Sequence, residues 1–200
     1  MRTWIALAVG LLTASTMMAC GSKAGTLQGS SDALGAADTK TIEYSGTGKW
    51  YQFGQAPNPT LPWPAFDVSA FTASINYETP ASRIQMTRKQ VIEPGRVRPA
   101  PVEQKPDQYI SGTAAWNMAA AAPGAAPAAQ PAPAAVEERT MEIWSTPQGF
   151  LKAATANNAT SQATGTGSEV TFTAGKNKYV GTINAQNQVE KVQTWINNPV

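Results

Sequence analysis

Two stretches of this chain carry side chains able to take a covalent group or hold a ligand. The first is built on Cys20, the only cysteine in 200 residues. Arg2 opens the chain with a positive charge, Trp4 to Leu12 form a short apolar run, and Met17-Met18-Ala19-Cys20-Gly21 follows. That order is the layout of a bacterial lipoprotein signal over residues 1–19, with the cysteine acylated as the first mature residue. Met17 stands where such signals more often have leucine, and cleavage after Ala24, behind the small pair Ser22 and Ala24, is the rival reading. The apolar run is roughly half the ~20 residues that a membrane-spanning helix needs. Export to the periplasmic side of a bacterial membrane, with a lipid anchor at Cys20, is therefore expected. Gly21 in place of an aspartate retention signal favours the outer membrane.

The second stretch is aromatic. Trp50, Tyr51 and Phe53 are followed by Trp63 and Phe66 in a segment stiffened by Pro57, Pro59, Pro62 and Pro64. Rigid aromatic side chains lose little entropy on binding, so these five residues are the candidate contacts for an apolar ligand. The competing reading is that Trp63 and Phe66 plug the open end of a sheet. A basic stretch (Arg83, Arg88, Lys89, Arg96, Arg98) has the chemistry to clamp phosphate or carboxylate groups. Pro94-Gly95 interrupts it and Glu93 and Glu103 partly neutralise it, which reads as solvated charge. The lone Gly46-Thr47-Gly48 has no following helix and is not a phosphate loop.

Composition narrows the chemistry further. The chain has no histidine. Histidine-dependent triads and histidine zinc sites are thus excluded within it, and the acids are too scattered to suggest a carboxylate pair. No catalytic, cofactor-binding or metal-ligating residue is assigned, and no cofactor is expected. One of the 15 basic residues (Arg2) lies in the leader, so 14 face 13 acids in the mature chain, a net charge of +1. That balance gives no footprint for nucleic acid.

The elements that must position these residues are mostly strands. Alternation with period two marks Phe71 to Tyr77, Ile84 to Met86, Ile110 to Trp116, Met141 to Ile143, and then Val170–Phe172, Tyr179–Ile183 and Val189–Ile196. Turn residues at Ala174-Gly175-Lys176-Asn177 and Asn184-Ala185-Gln186-Asn187 make the last third a meander. One helix is expected, capped by Ser145 or Thr146, with Pro147 in its first turn, Phe150, Leu151 and Ala154 on its apolar side, and Asn157-Asn158 at its end. The expected fold is mainly β (a β-rich α+β class): a curved antiparallel sheet or half-barrel meander with one short helix packed on it. Residues 20–40, rich in Gly, Ser, Ala and Thr, read as a flexible tether. Residues 41–200 read as a single β-rich domain with an Ala/Pro-rich disordered insertion at 118–136, a linker between two domains being the alternative.

Several blocks in order resemble the region preceding the catalytic domain in exported bacterial metallo-β-lactamase-fold hydrolases. They are Ser45-Gly46-Thr47-Gly48, Gly54-Gln55 through Pro62-Trp63-Pro64, Ile75-Asn76-Tyr77, Ser111-Gly112 through Ala115-Trp116-Asn117, Thr146 through Ala154, and Thr194 through Val200. The resemblance spans about residues 42–200. Where the family's helix-opening motif often has histidine, this chain has Gln148. It implies a non-catalytic N-terminal domain that supports or presents substrate to a catalytic part absent from this chain. In the family, activity depends on a metal site of the H-x-H-x-D-H type, and no position here matches it, so metal ions are expected only with a downstream catalytic domain. The alternative is a free-standing periplasmic lipoprotein holding a lipid or other apolar ligand in a half-barrel concavity lined by Phe71, Ile75, Trp116, Phe172 and Trp195.

Overall fold

The computed structural model describes residues 25–56, 58–92, 102–119 and 124–196. Cys20, the leader, Pro57, Arg96, Arg98 and residues 197–200 lie outside them. Among the described residues, eleven strands form two antiparallel sheets. The first contains β1 (Thr41–Tyr51), β2 (Ala65–Asn76), β3 (Ala81–Gln90), β4 (Glu103–Gln104), β5 (Asp107–Ser111), β6 (Ala114–Met118) and β7 (Ala129–Pro131). Its order is β1-β2-β3-β5-β6-β7, with β4 beside the far end of β3. The second is a meander of β8 (Thr160–Thr164), β9 (Gly167–Ala174), β10 (Asn177–Ile183) and β11 (Val189–Thr194). Neither sheet closes into a barrel, and the expected curved sheet with short helices is what forms. The curvature has a local cause. The register against both neighbours shifts at one place on β2, where Val68 to Phe71 faces only Gly48 to Gly46 of β1 and Val68 to Ala70 faces only Arg88 to Thr87 of β3, and such a bulge bends the strand that carries it.

Three α-helices among the described residues hold the sheets together: α1 (Leu27–Ala33), α2 (Val136–Ser145) and α3 (Pro147–Ala156). The expected helix is α3, with Thr146 as its N-cap, its Oγ1 accepting from Gly149 N, and Asn157 closing it. Phe150, Leu151 and Ala154 are wholly buried against Val170, Phe172, Tyr179 and Ile183 of the second sheet. The ring of Phe150 lies directly on Gly181, where a Cβ would meet it at 2.2 Å. Two-residue turns at Gly175-Lys176 and a wider one at 184–188 connect the meander as the turn residues require.

Four expectations need correction. Met141 and Ile143 are helical, not strand. Their apparent alternation arises because α2 wedges between the sheets, Met141 facing the second and Ile143 the first. Residues 25–40 are not a tether: α1 packs Leu27, Leu34 and Ala36 on the core of the second sheet, with Thr26 as its N-cap. Glycine makes that docking feasible, since a Cβ at Gly25 would sit 1.8 Å from the Asn184 carbonyl oxygen. Ile110 to Trp116 is not one strand. Gly112, at φ +56°, turns a hairpin that sets Ile110 and Ala115 inward and stacks Tyr109 on Trp116 on the opposite face. The described part of the Ala/Pro run is ordered in its second half. There β7 extends the first sheet and a 3-10 turn, Pro133–Ala135, leads into α2.

Candidate functional site

The first sheet is too long for the helix laid on it. At about 3.3 Å per residue, the 12 residues of β2 span about 40 Å, whereas the 10 residues of α2 span about 15 Å. Helix α2 therefore covers only the end of the concave face carrying Ile75, Tyr77, Ile110 and Ala115. Beyond it the strand pairing sets Tyr44, Gly46, Gly48 and Trp50 of β1 beside Ala73, Phe71, Val68 and Phe66 of β2, and these beside Ile84, Met86, Arg88 and Gln90 of β3. This uncovered half forms an open groove of about 700 Å³ running from the α2–α3 elbow to Trp50. A shallower trough of about 250 Å³ over Gly46 and Gly48 joins it, sharing Tyr44, Trp50, Phe71 and Met86. Both glycines have open space where a Cβ would be.

The elbow end of the groove is polar. Glu142 and Gln148 reach it from α2 and α3. Glu142 as a residue is open to solvent, because the groove is a trough and not a closed cavity. Its carboxyl is nonetheless desolvated by the surrounding walls, which together with Glu138 one turn away lifts its pKa to about 7, against the opposing pull of Arg139. Burial, and then Tyr77 and Glu142, raise the pKa of the Tyr44 phenol at the same end. Arg139 is itself buried and makes no carboxylate pair among the described residues. Its guanidinium donates to the carbonyls of Tyr109 and Trp116, both at 2.9 Å, and to Asn117 Oδ1 at 2.6 Å, pinning α2 to the sheet. The elbow is fixed by Thr146, whose hydroxyl donates to Ile143 O at 2.8 Å, leaving the Tyr77 hydroxyl to donate to Thr146 Oγ1 at 2.8 Å.

The Trp50 end is aromatic and cationic. Trp50 packs edge-on against Phe66 at 5.1 Å, and the Arg88 guanidinium lies 3.6 Å over Trp50 and 5.0 Å from Phe66. Of the five residues singled out by sequence, Trp50 lines the groove and Phe66 is buried behind it. Phe53 and Trp63 pair with each other at 4.7 Å, and both, like Tyr51, are largely exposed. They form a separate patch, so the five do not make one platform. The half-barrel lining expected from sequence is not assembled either. Phe71 and Ile75 share the concave face, but Trp116 is on the other side of the sheet, Phe172 is in the core under α3, and Trp195 is exposed beyond β11. Of the basic stretch, Arg83 is forked onto Asp107 by two bonds of 2.9 Å on the convex face, and among the described residues only Arg88 is on the concave side, stacked over Trp50 next to the groove. Sequence reasoning missed Glu142, which the groove gains only because α2 is a helix.

Two other hollows are less suited to a ligand. One of about 460 Å³ borders Ala119 and Pro127, next to residues outside the described set, and one of about 490 Å³ is framed by Glu43, Arg83 and Trp116. Among the described residues, no group of three or more carboxylate or cysteine side chains is placed to hold a metal ion. No helix among them is long and apolar enough to cross a membrane. In comparison with family models, curated proteins and solved structures, nothing matches this chain.

Proposed function

We propose that this chain is a non-catalytic binding module, held at the periplasmic face of a bacterial membrane by a lipid on Cys20, that takes an apolar ligand in the groove of its first sheet. One observation carries the reading: a trough of about 700 Å³ walled by Tyr44, Trp50, Phe71, Ile84 and Met86 and left open by α2. Its size is that of small-molecule sites, and its walls are apolar with polar groups confined to the ends. The export signature around Cys20 supports the location.

A second reading treats the chain as the leading domain of a metallo-β-lactamase-fold hydrolase, supporting a catalytic part. It draws on the sequence blocks quoted above and on Trp195 and Ile196, which stand about half exposed beyond the edge strand β11 and offer an apolar surface to another domain. The groove reading has the more direct test. Nile red, a neutral apolar dye, should bind the 200-residue chain saturably with one site, and Gly46→Leu, which fills the trough at a position with open space, should abolish binding while the melting temperature holds. Unsaturable binding, or binding indifferent to Gly46→Leu, overturns the reading.

A further inference from the structure

We propose that the occupant of the groove is a single-chain fatty carboxylate whose head is held by Arg88 and whose chain runs along the trough toward the α2–α3 elbow; this deepens the binding reading above and rests on it. Arg88 follows Met86 by two residues on β3 and so faces the same side of the sheet as the groove wall. It is half-buried. Its Nε donates to Gln104 Oε1 at 2.9 Å and its flat face rests on Trp50, but neither terminal nitrogen has a partner among the described residues. Neighbouring cations are satisfied differently: Arg83 by Asp107, Lys49 by Asp67 and Lys105 by Glu103. A guanidinium fixed by stacking, with both terminal nitrogens unused among the described residues, presents the planar fork that a carboxylate matches.

The same face argues for the rest of the ligand. From Ile84 to Arg88 the strand covers about 13 Å, and along that length the trough is bordered by apolar side chains and floored by Gly46 and Gly48. One trough accommodates one chain, which disfavours a two-chain phospholipid. Lys49 borders the trough but is paired with Asp67, and Lys89 alternates to the convex face, so Arg88 is the positive charge at this end without a carboxylate partner among the described residues and matches a singly charged head. Glu142 at the opposite end excludes a second anion there.

The test compares laurate with 1-dodecanol, the same chain without charge, each displacing Nile red from the full chain and from Arg88→Met and Arg88→Lys. Laurate should bind the parent about tenfold or more tighter than dodecanol, as a charge-assisted hydrogen bond predicts. Arg88→Met, which keeps the stem over Trp50, should bring laurate down to the alcohol, and Arg88→Lys should retain part of the difference. Equal binding of laurate and dodecanol to the parent overturns the assignment of the head group, as does an equal loss of both in Arg88→Met. Capture of phosphatidylglycerol vesicles without laurate binding overturns it in favour of a membrane surface. If Nile red itself fails to bind, the groove reading has failed, and the two failures are thereby told apart.

Discussion

Replacing Gly149 by alanine tests whether the elbow that carries Glu142 and Gln148 into the groove is as tight as its geometry states. An ideal Cβ at Gly149 would lie 2.1 Å from the carbonyl oxygen of Ile143 and 2.7 Å from Thr146 Oγ1, where real Cβ atoms keep at least 3.0 Å. No rotamer change relieves a clash with a backbone oxygen. The Ile143 carbonyl must move by almost an ångström, and it accepts from both Thr146 N and Thr146 Oγ1. Loss of those two bonds costs about 1–3 kcal/mol and overpacking about 1–3 kcal/mol more. The better helix propensity of alanine returns about 1 kcal/mol. The net expectation is a loss of about 3 kcal/mol, or roughly 6–12 °C in melting temperature for a chain of this size. Urea unfolding followed by tryptophan fluorescence reads the change. The control is Gly46→Ala, also on a packed element but facing open space, which should gain about 0.5–1 kcal/mol by reducing the freedom of the unfolded chain. If Gly149→Ala proves as stable as the parent, or gains as Gly46→Ala does, the elbow is not the close contact described and the placement of Glu142 loses its support.

Glu142 should impose a pH dependence of its own. Its folded pKa of about 7 stands above the ordinary 4.5, so the folded state holds a proton that the unfolded state releases. The stability it contributes is complete below about pH 4.5, declines as pH rises through 7, and levels off above; urea midpoints from pH 4 to 8 should show this fall, and Glu142→Gln should flatten it. Arg139→Met should cost about 3 kcal/mol, since it leaves the Tyr109 and Trp116 carbonyls without their buried donor, measurable by the same unfolding assay. Tyr77→Phe should cost about 1 kcal/mol through the lost bond to Thr146 while leaving the fold intact by circular dichroism.

How far the sequence could be read depended on whether a local rule or a distant partner set each element. Helix α3 is announced by Thr146-Pro147, a cap and a first-turn residue that act on their own segment, and the meander by its turn residues. Helix α2 has no such announcement. It is buried on two sides, so its apolar residues do not line one stripe, and Met141 and Ile143 imitate a strand because they serve different sheets. Helix α1 is composed mostly of small and polar residues, and what docks it is distant in sequence: Leu27 and Leu34 pack on the core under α3, and Thr26 N donates to Asn187 Oδ1, 161 positions away, at 3.0 Å. The same division holds for the site. Trp50 was visible as an aromatic, but the groove it lines depends on how little of the sheet α2 covers. Glu142 was invisible because nothing local marks a solvent-type residue as one that a groove will enclose.

The two faces of one set of strands give the groove its meaning. On the convex side of β1 to β3 the uncovered residues are, apart from Tyr51 and Ala70, the polar ones expected of a sheet face in water: Glu43, Ser45, Thr47 and Lys49 on β1, Thr72 and Ser74 on β2, Arg83, Gln85 and Lys89 on β3. On the concave side the apolar alternation continues past the last residue that α2 covers, through Tyr44, Phe71, Ile84, Met86 and Trp50. If this half of the concave face were simply a solvated surface, it would follow the convex pattern, since the backbone and the exposure to water are the same. Tyr44 is still 44% exposed, so burial by the described residues does not account for the choice. Apolar side chains held on a curved sheet, with glycines clearing the floor between them, match a surface that is covered by something other than α1 to α3.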